Sequence, residues 1–260
     1  MNKDKAILIV SFGTSYYESI KEAINELENN IQNQFNDYYV YSAFTSEMII
    51  KKLKKNNIHI NTITEAIEHM INLNIKHLIV QPIYVTCGLE NNNMINEIKK
   101  YSNYFESVKI GEPLLTSIND YKRVVNIIVK EFPNLNDDEA LICMGHGSTN
   151  YPNTNYQKLD NIFKDLGFNN IHVGTIKGEP SLNSIILKLK QDKIKKVTLF
   201  PLMIFPGYHI IKDMASDKED SWKTILLNNG FEVKCVIKGL CEIEEIGDIF
   251  INHITFLNKN

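Results

Sequence analysis

The sequence has no surplus of positive charge: 28 Lys and Arg stand against 31 Asp and Glu, a formal net charge of −3. That removes the footprint of sequence-independent nucleic-acid binding, so any anionic ligand must be held by a local cluster of donors. Cysteine is scarce. Cys87, Cys143, Cys235 and Cys241 form no CxxC pair, which excludes a zinc ribbon and a disulfide framework. Cys143, inside an apolar run, reads as a small core residue. No apolar run approaches the ~18 residues of a membrane span. The first one, AILIVSF, passes straight into a Gly-Thr-Ser turn, too soon for a secretory signal. A soluble cytoplasmic protein is expected. The chain also lacks a phosphate-binding loop, so no ATP is implied.

What is present is alternation. Short β-rich runs such as AILIVSF, YYVYSAF and KHLIVQPIYVT exchange with amphipathic stretches such as NTITEAIEHMINLN, the pattern of parallel α/β architecture. The pattern breaks at EFPNLNDDE, around Pro133, and a second series follows. The two series repeat. Residues 75–90 align without a gap on residues 194–209, so that Ile75, Lys76, Pro82 and Gly88 fall on Ile194, Lys195, Pro201 and Gly207. AILIVSFGTS matches ALICMGHGST, placing Phe12 opposite His146, and VKIGEPL recurs as VKCVIKGL. The expectation is an α/β fold of two similar domains, 1–134 and 135–260, each a parallel central sheet flanked by helices. The closing helix is free to pack back on the first domain. Ligands of open α/β sheets bind outside the carboxyl ends of the strands, which places the site in the cleft between the halves.

In the second half, three such ends carry ligand-type side chains. ICMGHG places His146 at the first, VGTIKGEP places Glu179 just past the second, and IFPGYH places His209 just past the third. Neighbouring parallel strands lie ~5 Å apart, so side chains at their ends can converge on one atom. Two imidazoles and a carboxylate suit a divalent first-row metal such as Co, Ni, Fe or Zn. Gly145, Gly147, Gly178 and Gly207 flank the three and allow sharp turns and close approach of a flat ligand. Glu90 repeats the position of His209 in the first half and is placed to add a carboxylate from across the cleft.

Blander readings stand beside these. A histidine at a strand end is commonly a solvated or hydrogen-bonded residue, and Glu179 before Pro180 also suits the start of a helix, where a carboxylate complements the dipole. His59, His69, His77, His172 and His253 lie on polar faces or within ordinary elements and read as structural. GHGST lacks the arginine of a phosphohistidine enzyme, the GxSxG of a serine hydrolase and the third glycine of a dinucleotide fingerprint.

SFGTSYYESI, AFTSEMIIKKL, MGHGS, PLM and DMASDKEDSW together resemble the anaerobic sirohydrochlorin cobalt chelatases, an ATP-independent class that includes the protoporphyrin ferrochelatases. The resemblance runs from about residue 5 to residue 250. It implies a bilobal fold, a tetrapyrrole in the cleft, and a metal site formed by His146, Glu179 and His209. The chain departs from that pattern at Tyr84, where relatives carry a histidine, and at CGLE and LENNN in the same loop.

The chemistry so implied is insertion of Co²⁺, as substrate metal, into sirohydrochlorin or its oxidised precursor state, with no organic cofactor. His146 would serve as base and ligand, with His209 and Glu179 positioning the metal. Ser11, Thr14, Glu90 and Ser148 are candidate substrate-binding residues, with Lys177 and Lys212 as further partners for carboxylates. Ser11, Thr14 and Ser148 equally fit ordinary turn and cap positions. Asp213 is placed to orient His209, or is a surface acid of its helix. Iron or nickel insertion, and a non-catalytic carrier of metal or tetrapyrrole, remain alternatives. No nucleic-acid or membrane partner is implied, and a homo-oligomer is compatible with the sequence.

Overall fold

The computed structural model describes residues 3–149 and 153–259, without the side chains of residues 18–20. The chain divides into two compact units, Met1–Thr116 with Cys241–Asn260 and Ser117–Leu240. The first contains β1 (Lys5–Ser11), α1 (Tyr17–Gln34), β2 (Tyr39–Phe44), α2 (Glu47–Lys55), α3 (Ile63–Asn72), β3 (His77–Pro82), α4 (Leu89–Lys99) and β4 (Ser107–Ile110). The second contains α5 (Ile118–Glu131), β5 (Glu139–Gly147), α6 (Thr154–Asp165), β6 (Ile171–Lys177), α7 (Leu182–Gln191), β7 (Lys196–Pro201), α8 (Trp222–Asn228) and β8 (Glu232–Cys235). The closing helix α9 (Glu244–Lys259) belongs to the first unit.

The sequence break placed a boundary after residue 134, whereas by contacts α5 sits with the second unit. Tyr121 on α5 donates its hydroxyl to Asn155 Oδ1 at 2.8 Å, and its ring lies under Lys158 Nζ at 4.4 Å. Phe132, just beyond α5, packs edge-on against Phe200 of β7. Conversely, α9 is tied to the first unit by Tyr38 donating to Asn258 Oδ1 and Lys109 Nζ donating to the Leu257 carbonyl. Each unit therefore takes the helix that follows the other unit's last strand.

Among the described residues each unit holds a four-stranded parallel sheet, ordered β2-β1-β3-β4 and β6-β5-β7-β8. The internal repeat extends to register. Ala6 pairs Leu78 and Val10 pairs Pro82 in the first sheet; Ala140 pairs Val197 and Met144 pairs Pro201 in the second. These are the residues that the two sequence matches place opposite one another. The central strands β1 and β5 are apolar and buried at successive positions, so both faces of each are covered. Ala6, Leu8 and Val10 pack with Ile63, Ile67 and Met70 of α3, and Ala140, Ile142 and Met144 pack with Ile185, Ile186 and Leu189 of α7. Helix α3 begins with a reciprocal cap between Thr62 and Glu65, which satisfies backbone donors the helix cannot bond itself.

Strand β7 ends at Pro201, well before the IFPGYH stretch that the sequence placed at its end. After Leu202 N–H donates to the Met144 carbonyl, the chain leaves the sheet through a loop with Leu202, Ile204 and Pro206 buried.

Edge strand β6 is protected by side chains rather than by a neighbour. Asp160 Oδ1 accepts the Val173 N–H at 2.8 Å, and Lys164 Nζ donates to the Ile171 carbonyl. Between them His172 is buried, 3% exposed, with Nδ1 facing Lys164 Nζ at 3.3 Å and Nε2 without a partner. Burial, then the Lys164 and Lys188 charges, push its pKa down to about 3. A histidine depressed on folding contributes stability that is full above the unfolded value of roughly 6.5 and is lost as pH falls toward the folded value. Between about pH 7 and pH 5 this group should cost about 2 kcal/mol of unfolding free energy. Urea denaturation at both pH values is expected to show that loss, and His172→Phe should reduce it. An identical pH dependence in the two proteins would contradict the assignment.

Candidate metal centre

His146 lies near the end of β5, which runs three residues beyond its pairing with β7. The glycines on either side are required by contact. A Cβ at Gly145 would meet the Tyr156 ring at 2.2 Å, and one at Gly147, whose φ is +69°, would meet the Lys177 carbonyl at 2.2 Å. So β5 is pressed against α6 on one side and against the end of β6 on the other, which fixes where His146 emerges.

His209 opens a π-helical segment, His209–Met214, anchored by buried Ile210 and Met214. It comes eight residues after β7 ends, not directly at the strand end. Such segments widen the helix by one residue per turn and recur at functional sites. Here the segment places Asp213 beside its own first residue. His209 Nδ1 donates to Asp213 Oδ2 at 2.5 Å.

The two imidazoles meet. Their ring centroids are 4.6 Å apart in an edge-to-face arrangement. His146 Nδ1 lies 2.9 Å from the Gly147 carbonyl, an oxygen that only accepts, so Nδ1 carries the proton. In both rings the Nδ1–H is thus engaged and Nε2 bears the lone pair, the form in which imidazole binds a metal or takes a proton. Burial holds the His146 pKa below the ordinary imidazole value, reinforced by His209 and Lys177, against the raising effects of the Gly147 carbonyl and Asp213. The direction favours ligation, because burial disfavours the protonated form, which cannot bind a metal.

Glu179 is exposed, follows Gly178 at φ +81°, and precedes Pro180 through a cis bond. One of its oxygens accepts the Ser181 N–H at 2.7 Å, the role expected of a carboxylate at a helix start. Among the described residues no three His, Cys, Asp or Glu side chains are grouped to hold a metal ion. The structure therefore brings His146 and His209 together and leaves the Glu179 carboxylate on α7.

Ser11, the last residue of β1, and Thr14, in the turn that follows, are buried, and Thr14 Oγ1 accepts the Tyr16 N–H. Ser148 follows His146, and its N–H donates to Asn153 Oδ1 at 2.8 Å. Glu90 is exposed in the first turn of α4. Lys177 and Lys212 are exposed. Phe12, opposite His146 in the repeat, is 44% exposed. Tyr84 is buried, which raises its pKa, and its hydroxyl faces Thr45 Oγ1 at 3.5 Å. Asn153 and Thr175 were not singled out from the sequence, although both cross-link the loops that carry His146 and Glu179. The only signal for Asn153 was an Asn-rich stretch.

The profile described as cobalt chelatase (CbiK) matches residues 5–257. The chain belongs to this cobalt chelatase family. It is 32% identical over 251 residues to the sirohydrochlorin cobaltochelatase of Salmonella typhimurium, covering 96% of this chain and 95% of the relative. Identity to the sirohydrochlorin cobaltochelatase CbiKC of Nitratidesulfovibrio vulgaris is 26% over 254 residues, covering 96% and 89%. Among solved structures, SirB from Bacillus subtilis with Fe3+ superposes with a TM-score of 0.70 at 15% identity, over 96% of this chain and 94% of that one. CbiX, described as the terminal enzyme for biosynthesis of siroheme in denitrifying bacteria, gives 0.60 at 12%, over 97% and 99%. These two likenesses establish the bilobal chelatase fold.

Asp213→Asn would keep the shape and remove the charge that holds His209 Nδ1–H. A roughly 10-fold or greater loss of Co²⁺ affinity is expected, as for other partners of metal-binding histidines. Calorimetric titration with Co²⁺ checks this, and an unchanged affinity would contradict the orienting role.

Proposed function

We propose that this chain inserts Co²⁺ into sirohydrochlorin, or its oxidised precursor state, in the cytoplasm and without ATP or an organic cofactor. The observation that carries the proposal is the imidazole pair, two rings with centroids 4.6 Å apart, each with its Nδ1 engaged by an acceptor. Family membership and the names of the two curated relatives support the same reaction.

In this reaction the four ring nitrogens replace the ligands that Co²⁺ brings with it, and the two that carried N–H bonds lose their protons. No electrons move, so the protein must hold a partly dehydrated dication and accept protons. His146 acts as ligand and then base, since burial keeps it neutral. His209, with Asp213 behind it, acts as the second ligand. Glu179 contributes a carboxylate once it leaves the Ser181 N–H, and Glu90 contributes another. Ser11, Thr14 and Ser148 lie at the end of β1 and in the turns after β1 and β5, which would meet the substrate's carboxylates, with Lys177 and Lys212 as their cationic partners. The scheme calls for no nucleic-acid or membrane partner. Assembly as a homo-oligomer is compatible with this scheme.

Two imidazoles do not choose decisively among Co²⁺, Fe²⁺ and Ni²⁺. The test is an anaerobic absorbance time course with sirohydrochlorin and each ion, beside a His146→Ala, His209→Ala double variant. Multiple turnovers with Co²⁺, reduced by roughly 100-fold or more in the variant, are expected. A spectral change that stops at one equivalent per chain would make the protein a carrier, and turnover surviving in the variant would move the chemistry elsewhere.

A further inference from the structure

Strands β5 and β6 pair as far as Gly147 and Lys177, and just past that point one side chain links the loops that carry His146 and Glu179. Asn153 Oδ1 accepts the Ser148 N–H at 2.8 Å, two residues beyond His146. Its Nδ2 donates to the Lys177 carbonyl at 2.7 Å, two residues before Glu179, and lies 3.3 Å from Thr175 Oγ1. Thr175 is 2% exposed and closes the second loop upon itself. Its N–H donates to the Pro180 carbonyl at 2.7 Å, and its hydroxyl faces the Lys177, Gly178 and Pro180 carbonyls at 3.2, 3.1 and 3.2 Å. The fit leaves no slack. A Cβ at Gly178 would stand 2.6 Å from the Ser148 carbonyl oxygen and 2.8 Å from Asn153 Nδ2.

We infer that Asn153 is a positioning residue that sets the Glu179 loop against the His146 loop and thereby tunes capture of the divalent metal. The inference rests on the proposed metal-site reading. The amide is suited to this because it offers an acceptor to one loop and a donor to the other within one plane. An aspartate of the same shape keeps the acceptor for Ser148 but faces the Lys177 carbonyl with a second acceptor, so attraction becomes repulsion at the Glu179 loop alone. Neither Asn153 nor Thr175 need touch the metal.

The test is calorimetric titration of the full-length protein with Co²⁺ alone, for the parent, Asn153→Asp, Glu179→Gln and the double variant. Each single change is expected to weaken Co²⁺ binding by roughly 10-fold, and the double variant to bind no more weakly than Glu179→Gln. A merely structural role would not produce that coupling. Additive losses, an unchanged affinity in Asn153→Asp, or a Glu179→Gln variant that binds like the parent would each overturn the inference, as would a parent that binds no Co²⁺. Asn153→Ala replaces Asn153→Asp in the cycle if the latter does not fold, with the same coupling expected. Because the titration contains no tetrapyrrole, a failure of turnover would sink the proposed reaction without deciding this result.

Discussion

Parallel pairing in register brings successive strand ends to one rim of a sheet, and the second unit depends on a departure from it. Strands β5 and β7 pair as far as Met144 and Pro201, after which β7 turns away while β5 continues along β6 to Gly147 opposite Lys177. His146 therefore stands past the point where its neighbour has left. The vacated flank is where the chain returns as the π-helical segment and delivers His209. Gly145 and Gly147 permit the tight packing against α6 and β6 that keeps β5 on this course.

Electrostatics then favours one use of the pair. Two protonated imidazoles at this separation would repel by about 3 to 4 kcal/mol at an effective dielectric constant of about 20. Burial adds to the cost of charging His146. Asp213 offsets one positive charge and not two. The pair is therefore poorly suited to hold two protons, a constraint that the proposed capture of a single dication would satisfy. The opposite members in the repeat, Phe12 and Glu90, could not replace it, since one is apolar and the other is a carboxylate in a helix turn. Two halves of similar fold have thus been given different chemistry at equivalent positions.

Much of this was legible in the sequence because it is written locally. Short β-rich runs gave the strands, and the gapless match of residues 75–90 to 194–209 carried over into identical register. His146 was found because glycines flank it at a strand end. Features set by distant parts of the chain were hidden. The return of α9 to the first unit was anticipated, but the placement of α5 with the second depends on packing that no local pattern reports. The late arrival of His209 follows from how β7 leaves the sheet, and Glu179 bonds to Ser181 because a helix begins there. Asn153 resembles any loop asparagine until its two partners, one on each loop, are seen.

The central claim is that His146 and His209 capture one divalent cation through their Nε2 atoms. The most direct measurement is an anomalous difference map, collected at the cobalt edge, from crystals grown with Co²⁺. The account predicts one dominant peak within roughly 2.0 to 2.3 Å of both Nε2 atoms. A dominant peak bound elsewhere, or one that touches only one of the two imidazoles, would contradict it.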